Sequence, residues 1–212
     1  LLFITEQTRK VEEEKEELAQ VNLQQQYDSL KEQVNPHFLF NNLNSLITLI
    51  SKDPERADSF IEEMSVVYRY LLRNNQENTT SLKEEIRFIE SYNNLLKTRF
   101  GQGFRSTINI EPSAFSDSLP PMTLQLLVEN AVKHNIVSAE KPLHLQLYTQ
   151  NGHLVVQNNL QKKTGAVASH KVGLNNINAK YKLLKQPPVT IHETADTFTV
   201  TIPLIKNKER HV

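Results

Sequence analysis

Apolar residues near the start of the chain recur at helical spacing. Ile4, Val11 and Leu18 are seven residues apart, and a second set then follows a four-three-four spacing: Leu23, Tyr27, Leu30 and Val34. A heptad seam with one shift of phase predicts a parallel dimeric coiled coil over residues 1–34. A single amphipathic helix lying on the body of the protein is the alternative.

Three further helices are predicted up to residue 100. The first runs from Pro36 to about Ser51, and its apolar positions again follow a four-three-four spacing that should face a core: Leu39, Leu43, Leu46 and Ile50. Asp53-Pro54 marks a turn and a new helix that ends near Arg73, because Pro is favoured at the first helical position. These two helices would form a hairpin, and two chains a four-helix bundle. The capping box Ser81-Leu82-Lys83-Glu84 opens the third helix.

The pattern changes beyond Gly101, where short β-rich segments alternate with turns. Strands are predicted at 104–110, 143–149, 153–159, 189–193 and 198–205, and helices at 122–135 and 173–184. Mostly hairpin-connected strands with a few helices predict an α+β sandwich with helices on one face. The polar segment 160–172 has one central glycine and no apolar period, which is typical of a functional lid.

Domain boundaries follow from these patterns. We predict a coiled-coil helix at 1–34, a dimerising helical hairpin at 35–78 and an α+β domain at 79–212. The opening residues LLFI have two interpretations, the end of a transmembrane helix or an ordinary helix start.

Composition excludes several classes. The 24 basic and 24 acidic residues balance, so charge gives no argument for nucleic-acid binding, and we expect none. The absence of cysteine excludes a disulfide framework and thiolate metal sites.

His37 is the first candidate for chemistry. It falls roughly 150° from the centre of the apolar cluster on a helical wheel, on the side that carries Asn41. An exposed imidazole is mostly neutral at pH 7, and its free nitrogen can attack a phosphoryl group. The amide of Asn41, one turn on, would orient that nitrogen or a water. Pro36 is either a kink that lets the coiled coil re-aim His37 or the first residue of a new helix capped by Asn35.

A second constellation lies on the predicted helix at 122–135. Asn130, Lys133 and His134 share the side opposite its buried face. An amide oxygen suits Mg²⁺, which shares phosphate ligands with its site, and a lysine can meet phosphate charge. A solvated polar face is the simpler alternative.

Two further signals follow along the chain. Gly173 is predicted where a loop meets a helix beginning at Leu174, so that the backbone can approach a phosphate at the helix N-terminus. Asn158 and Asn159 end a strand, where a side-chain amide can contact an adenine edge. Each signal is modest, and their order along the chain is the stronger indication.

From about residue 30 onward the sequence resembles the LytS-type sensor histidine kinases. The resemblance is carried by NPHFLFNNLNSL at 35–46, LVENAVKHN at 127–135 and VGLNNINAKY at 172–181. The segments SLKEEIRFIESYNNLLKTRF at 81–100 and LPPMTLQLLVEN at 119–130 also match. The first motif is highly specific and the others moderately so.

The resemblance implies a catalytic core in which a dimerising hairpin carries the phospho-accepting His37. A Bergerat-type domain, shared with gyrase, would bind ATP and Mg²⁺. Carried over by residue, Asn130 would hold Mg²⁺ and Asn158 would accept a hydrogen bond from the adenine amine. The remaining residues would lie at the phosphates: Lys133, His134, Gly173 and Leu174.

The resemblance also implies partners and a location. The chain would form a homodimer and pass its phosphoryl group to an aspartate of a response regulator, commonly one with a LytTR DNA-binding domain. It would be the cytoplasmic portion of a bacterial inner-membrane sensor.

The nucleotide motifs depart from the family pattern. Asn158 stands where the family has Asp, and glycines are replaced at three positions: Asn135, Leu160 and Lys171. These differences leave an alternative, a catalytically weak or inactive dimeric signalling scaffold with a degraded nucleotide site. A gyrase-like ATPase is a third hypothesis, but it has no use for the NPHFLFN helix.

Overall fold

The computed structural model describes residues 36–73, 77–163 and 170–206 of the 212-residue chain. The predicted coiled coil at 1–34 lies outside the described residues, as do residues 164–169 of the segment predicted to be a lid. The chain divides into two compact units, Leu1–Asn44 and Ser45–Val212. The predicted domain boundaries after residues 34 and 78 stay predictions.

Two helices joined at Asp53 open the described chain. Helix α1 spans Pro36–Lys52 and helix α2 spans Pro54–Arg73. The Asp53 carboxylate accepts a hydrogen bond from the Arg56 N–H at 3.2 Å, so Asp53 caps α2 while Pro54 occupies its first position. The predicted turn is confirmed.

The prediction that the apolar series of α1 faces a core is wrong for Leu43 and Ile50 within this chain, since Leu43 is also exposed. Ile50 is 56% exposed, and its neighbour Ile47 is 64% exposed. The physical reason is that α2 turns its buried side to the next helix, α3 (Leu82–Phe100). The Tyr70 and Phe88 rings stack with centroids 4.2 Å apart across that contact.

The ends of α3 are set by local chemistry. Ser81 Oγ accepts a hydrogen bond from the Glu84 N–H at 3.2 Å, which confirms the capping box. At the other end, Gly101 has φ +54° and its N–H bonds to the Lys97 carbonyl. Glycine adopts that backbone conformation without steric cost.

The sheet is built from strands close to the predicted ones: β2 (Phe104–Asn109), β4 (Leu143–Gln150), β5 (His153–Asn159), β6 (Thr190–Glu193) and β7 (Thr197–Pro203). These five strands lie in the order β2-β4-β5-β7-β6. The β2–β4 pair is parallel and the other pairs are antiparallel. Two short strands, β1 (Thr80–Ser81) and β3 (Ser118–Leu119), form a separate antiparallel pair. Two 3₁₀ turns also occur: Gly101–Gly103 and Pro112–Ser116.

Helices lie against the sheet and against one another. Helices α4 (Thr123–His134) and α5 (His170–Leu183) contact each other, α4 contacts β4 and β5, and α3 contacts β2. Along β4, Leu143, Leu145 and Leu147 are buried while His144 and Gln146 between them are exposed. This alternation is typical of a sheet covered on one face, and the predicted α+β class is confirmed.

The hairpin between β4 and β5 is closed by Asn151 and Gly152, which have φ +51° and +74°. Left-handed backbone at both central residues matches the twist of the flanking strands. Among the described helices, none is long and apolar enough to cross a membrane.

Candidate functional site

Asn130 on α4 and Gly173 on α5 lie in close contact. A Cβ atom placed on Gly173 would sit 3.0 Å from Asn130 Nδ2 and 3.5 Å from Asn130 Oδ1. The prediction that Gly173 precedes its helix is wrong, because α5 begins at His170 and Gly173 lies in its first turn. Its φ is not in the left-handed region. Glycine is therefore favoured there by the close approach of two helices and not by a turn.

The Asn130 side chain has an unused donor. Its Nδ2 is buried and has no hydrogen-bond partner among the described residues. Leaving a buried polar group unpaired costs roughly 1–3 kcal/mol, so such a group calls for an explanation, such as a ligand. Lys133, one turn further along α4, is exposed and available to a polyanion. The unpaired N–H and the lysine are suited to phosphate oxygens, and the amide oxygen of Asn130 is a ligand that Mg²⁺ accepts, so these side chains fit a site for Mg²⁺ and phosphate.

Glu129 precedes Asn130 and is held by two side chains. Its Oε1 accepts hydrogen bonds from the Tyr92 hydroxyl at 3.1 Å and from Gln125 Nε2 at 2.9 Å. Burial, followed by the charge of Glu129, raises the pKa of Tyr92 well above its ordinary value, so the hydroxyl stays protonated and donates. The bond from Tyr92 ties α4 to α3 beside Asn130, and the bond from Gln125 holds Glu129 within α4.

His134 is buried, so the prediction that it shares the solvent side of the helix with Lys133 is wrong. His134 ends α4, and its carbonyl accepts a hydrogen bond from the Lys163 N–H at 3.1 Å. The segment that follows β5 thus runs beside the end of the helix. The periodicity of a helix does not predict which distant segment will pack beside it, so the sequence contains no sign of this contact.

The C-terminal end of α4 is tied to residues 161–163. Lys163 Nζ donates to the carbonyls of Val132 and Lys133, each at 3.1 Å. The Asn135 amide donates to the Ala131 carbonyl at 2.9 Å, and its Oδ1 accepts from the Gln161 N–H at 2.8 Å. A cation at a helix C-terminus also interacts favourably with the helix dipole.

At two of the three positions where this chain lacks the family's glycine, the backbone does not need one. Asn135 has φ −111°, and Leu160 is not among the described residues with positive φ. Asn135 contributes two hydrogen bonds that a glycine would lack. The substitutions at these two positions therefore impose no backbone strain.

Asn158 and Asn159 have different tasks at the end of β5. Asn158 is buried, and its Nδ2 donates to the Asn159 carbonyl at 2.6 Å, which a carboxylate could not do. Asn159 braces the edge of β4, accepting from the His144 N–H at 2.7 Å and donating to the Pro142 carbonyl at 3.0 Å. Asn158 Oδ1 is the group that matches the predicted adenine acceptor.

The N-terminal end of α4 is capped by a residue that the sequence analysis missed. Met122 precedes the helix with φ +64° and supplies no side-chain cap. Glu85 on α3 does so instead: its Oε1 accepts from the Leu124 N–H at 2.9 Å and its Oε2 from the Met122 N–H at 3.2 Å. The Tyr70 hydroxyl of α2 donates to the same Oε2.

Glu85 is fully buried, and its environment sets its titration. Burial raises the pKa of Glu85, partly offset by hydrogen bonds from Tyr70, Leu124 and Met122 and by the charge of Lys180. Burial also lowers the pKa of Lys180 on α5, and the charge of Glu85 opposes that shift. The signal in the sequence was a carboxylate three residues after Leu82, within the apolar face of α3.

The remaining predicted site residues are placed by their elements. His37 lies in the first turn of α1, and Asn41 one turn later is half-buried. Leu174 is buried next to Gly173 on α5. The roles predicted for the site residues stay predictions.

Comparisons with known proteins were made for the whole chain. The family model for histidine kinases matches residues 25–104. The chain is 39% identical over 106 residues to the sensor protein LytS of Staphylococcus saprophyticus, covering 50% of this chain and 18% of that protein. It is 28% identical over 206 residues to the sensor histidine kinase/phosphatase LytS of Staphylococcus aureus, covering 85% of this chain and 35% of that protein.

A solved structure of a histidine kinase, AdeS of Acinetobacter baumannii, aligns with a TM-score of 0.42 at 10% identity, covering 76% of this chain and 84% of that chain. The sequence matches show that the chain is similar to histidine kinases. Within that class its similarity is to the LytS sensor proteins, which confirms the predicted resemblance.

Proposed function

We propose that the chain is the catalytic core of a sensor histidine kinase. It would transfer the γ-phosphoryl group of ATP to His37 and then to an aspartate of a response regulator. The observation that carries the proposal is the contact between Gly173 and Asn130, whose buried Nδ2 has no partner in the part of the chain that the structure describes. Both residues come from motifs that resemble the nucleotide motifs of LytS-type kinases.

Each group of the nucleotide has a residue suited to it. The Asn130 amide oxygen would hold Mg²⁺, and Lys133 would neutralise phosphate charge. Gly173, the fourth residue of α5, would present one of the free N–H groups of that helix N-terminus to the phosphates, with Leu174 next to it. The Asn158 carbonyl would accept a hydrogen bond from the adenine amine. Mg²⁺ would supply charge neutralisation at the phosphates when bound.

At the acceptor, a neutral imidazole nitrogen of His37 would form the N–P bond while the bond between the γ-phosphorus and ADP breaks. The ring proton leaves to a base, and Asn41 would orient the ring. The phosphoryl group would then pass to a carboxylate oxygen of the response regulator, which regenerates neutral His37.

The alternative of an inactive scaffold finds less support. Asn135 and Leu160 stand at positions whose backbone does not need glycine, and Asn158 makes a hydrogen bond that Asp could not make. These three departures from the family pattern are therefore compatible with an intact site.

A homodimer is part of the proposal. In the second unit, Ile47 and Ile50 on α1 and Ile61 on α2 are exposed large apolar residues. Exposed apolar residues on a helical hairpin are suited to a four-helix bundle with a second copy. We further propose a response regulator with a LytTR DNA-binding domain as the recipient and a cytoplasmic position within a bacterial membrane sensor.

Labelling with γ-phosphate-labelled ATP and Mg²⁺ tests the proposal. Wild type should acquire a heat- and acid-labile label that His37→Gln lacks. His192→Gln, which changes an exposed histidine on β6, is the matched control and should keep the label.

The scaffold hypothesis makes a different prediction in calorimetry with a non-hydrolysable ATP analogue. A micromolar Kd would count against it. A folded wild type that stays unlabelled and binds no analogue would contradict the kinase proposal.

A further inference from the structure

Helix α4, which carries Asn130, depends on another helix for its N-terminal cap. Met122 is held in a left-handed backbone conformation, with φ +64°, that is unfavourable for a residue other than glycine. Glu85 of α3 binds the N–H groups of Met122 and Leu124. Its carboxylate therefore stabilises both the strained entry and the first turn of α4.

The same carboxylate connects α4 to two other helices. The Tyr70 hydroxyl of α2 donates to the Glu85 oxygen that also binds the Met122 N–H. Lys180 of α5 donates to the Pro121 carbonyl at 3.1 Å, and its charge acts on Glu85. A displacement of α2 thus reaches the entry of α4 through one buried oxygen.

Asn130 has little room to tolerate such a displacement. It lies eight residues after Met122 in sequence, or roughly 12 Å along a helix that rises 1.5 Å per residue. Its amide already faces the backbone of Gly173, where an added Cβ would be 3.0 Å away. A shift of α4 at its N-terminus moves this amide relative to α5.

We propose that Glu85 is a positioning residue for nucleotide binding, and that Tyr70 makes the position of Asn130 depend on the placement of α2. The inference rests on the proposed function, since Asn130 is taken to hold Mg²⁺. It identifies the hydrogen bond between Tyr70 and Glu85 as the contact through which α2 influences the nucleotide site. Helix α2 directly follows α1, which carries His37.

Calorimetry of the full chain with Mg²⁺ and a non-hydrolysable ATP analogue tests this. Tyr70→Phe removes one hydroxyl and should weaken analogue binding about fivefold or more, the lower end of usual coupling between sites. Glu85→Met removes every acceptor and should weaken binding at least as much. Glu85→Gln keeps one acceptor and should recover part of the affinity. In the double variant of Tyr70→Phe and Glu85→Met, affinity should match that of Glu85→Met alone, because Tyr70 acts through Glu85.

Tyr181→Phe is the matched control. Tyr181 is also buried, but its hydroxyl donates to the Pro203 carbonyl at 3.0 Å and not to Glu85. It should lower the melting temperature much as Tyr70→Phe does and leave the Kd for the analogue unchanged. Should Glu85→Met not fold, the comparison of the two phenylalanine variants decides.

Wild-type affinity in Tyr70→Phe, or losses that add in the double variant, would overturn the positioning role while leaving the proposed function intact. A folded wild type that binds no analogue would instead overturn the proposed function, and this inference with it.

Discussion

Replacing Gly173 by alanine separates the stability of the protein from its proposed nucleotide chemistry. The new Cβ would lie 3.0 Å from Asn130 Nδ2, whereas ordinary contact begins at 3.4 Å, so the amide must move by about 0.4 Å. The amide is a side-chain group with no hydrogen bond to break among the described residues, so it can move.

The expected magnitudes follow from that geometry. Alanine gains about 0.8–1.0 kcal/mol over glycine inside a helix, and overpacking costs roughly 1–3 kcal/mol. The free energy of unfolding should therefore fall by no more than about 2 kcal/mol. A 1 Å misplacement of a reacting group can cost about 100-fold in rate, and scaling that loss to 0.4 Å gives roughly a sixfold loss.

The assay measures the rate of His37 labelling at saturating Mg-ATP, the Kd for an ATP analogue and the urea unfolding curve. Asn175→Ala, at an exposed position two residues along α5, is the control that raises helix propensity without facing Asn130. It should label at the wild-type rate. Labelling and binding at wild-type levels in Gly173→Ala would refute the assignment of Asn130 to the metal.

Three other substitutions test the ends of α4 and β5. Burial raises the pKa of Glu85 above its ordinary 4.5, so the folded state binds that proton more tightly than the unfolded state. The resulting stabilisation is present below pH 4.5 and is lost as pH rises through the raised pKa. From pH 4.5 up through the raised pKa, the free energy of unfolding of wild type should therefore fall relative to that of Glu85→Gln. Urea titrations of both proteins at several pH values would measure this. Lys163→Met removes the cation at the C-terminus of α4 and should cost about 0.3–1 kcal/mol at low salt, with a smaller loss at high salt; equal losses would argue against an electrostatic role. Asn158→Asp places a carboxylate oxygen against the Asn159 carbonyl. It should lower the free energy of unfolding by about 1–3 kcal/mol and the melting temperature with it. An unchanged melting temperature would contradict the hydrogen-bond assignment.

Local sequence signals predicted most elements because neighbouring residues carry the physics. The Asp53-Pro54 turn and the Ser81 capping box use groups within four positions of one another, and both are confirmed. Strand β5 matches its predicted bounds because its short run of apolar and β-branched residues, Leu154-Val155-Val156, is a local property. The parallel pairing of β2 with β4 was not predicted, since strand order depends on contacts between distant segments.

What the sequence by itself determined was the set of helices and strands, the α+β class and the motifs that carry the resemblance to histidine kinases. What only the tertiary structure decided was how the nucleotide helix is held. Glu85 meets Met122 and Leu124 across 37 and 39 positions of sequence, and no local pattern links residues so far apart. Likewise, the sequence predicted that Gly173 lies where a loop meets a helix. In the fold it lies within α5, in close contact with Asn130. Periodicity records which side of a helix is apolar, whereas only packing decides which polar group meets which.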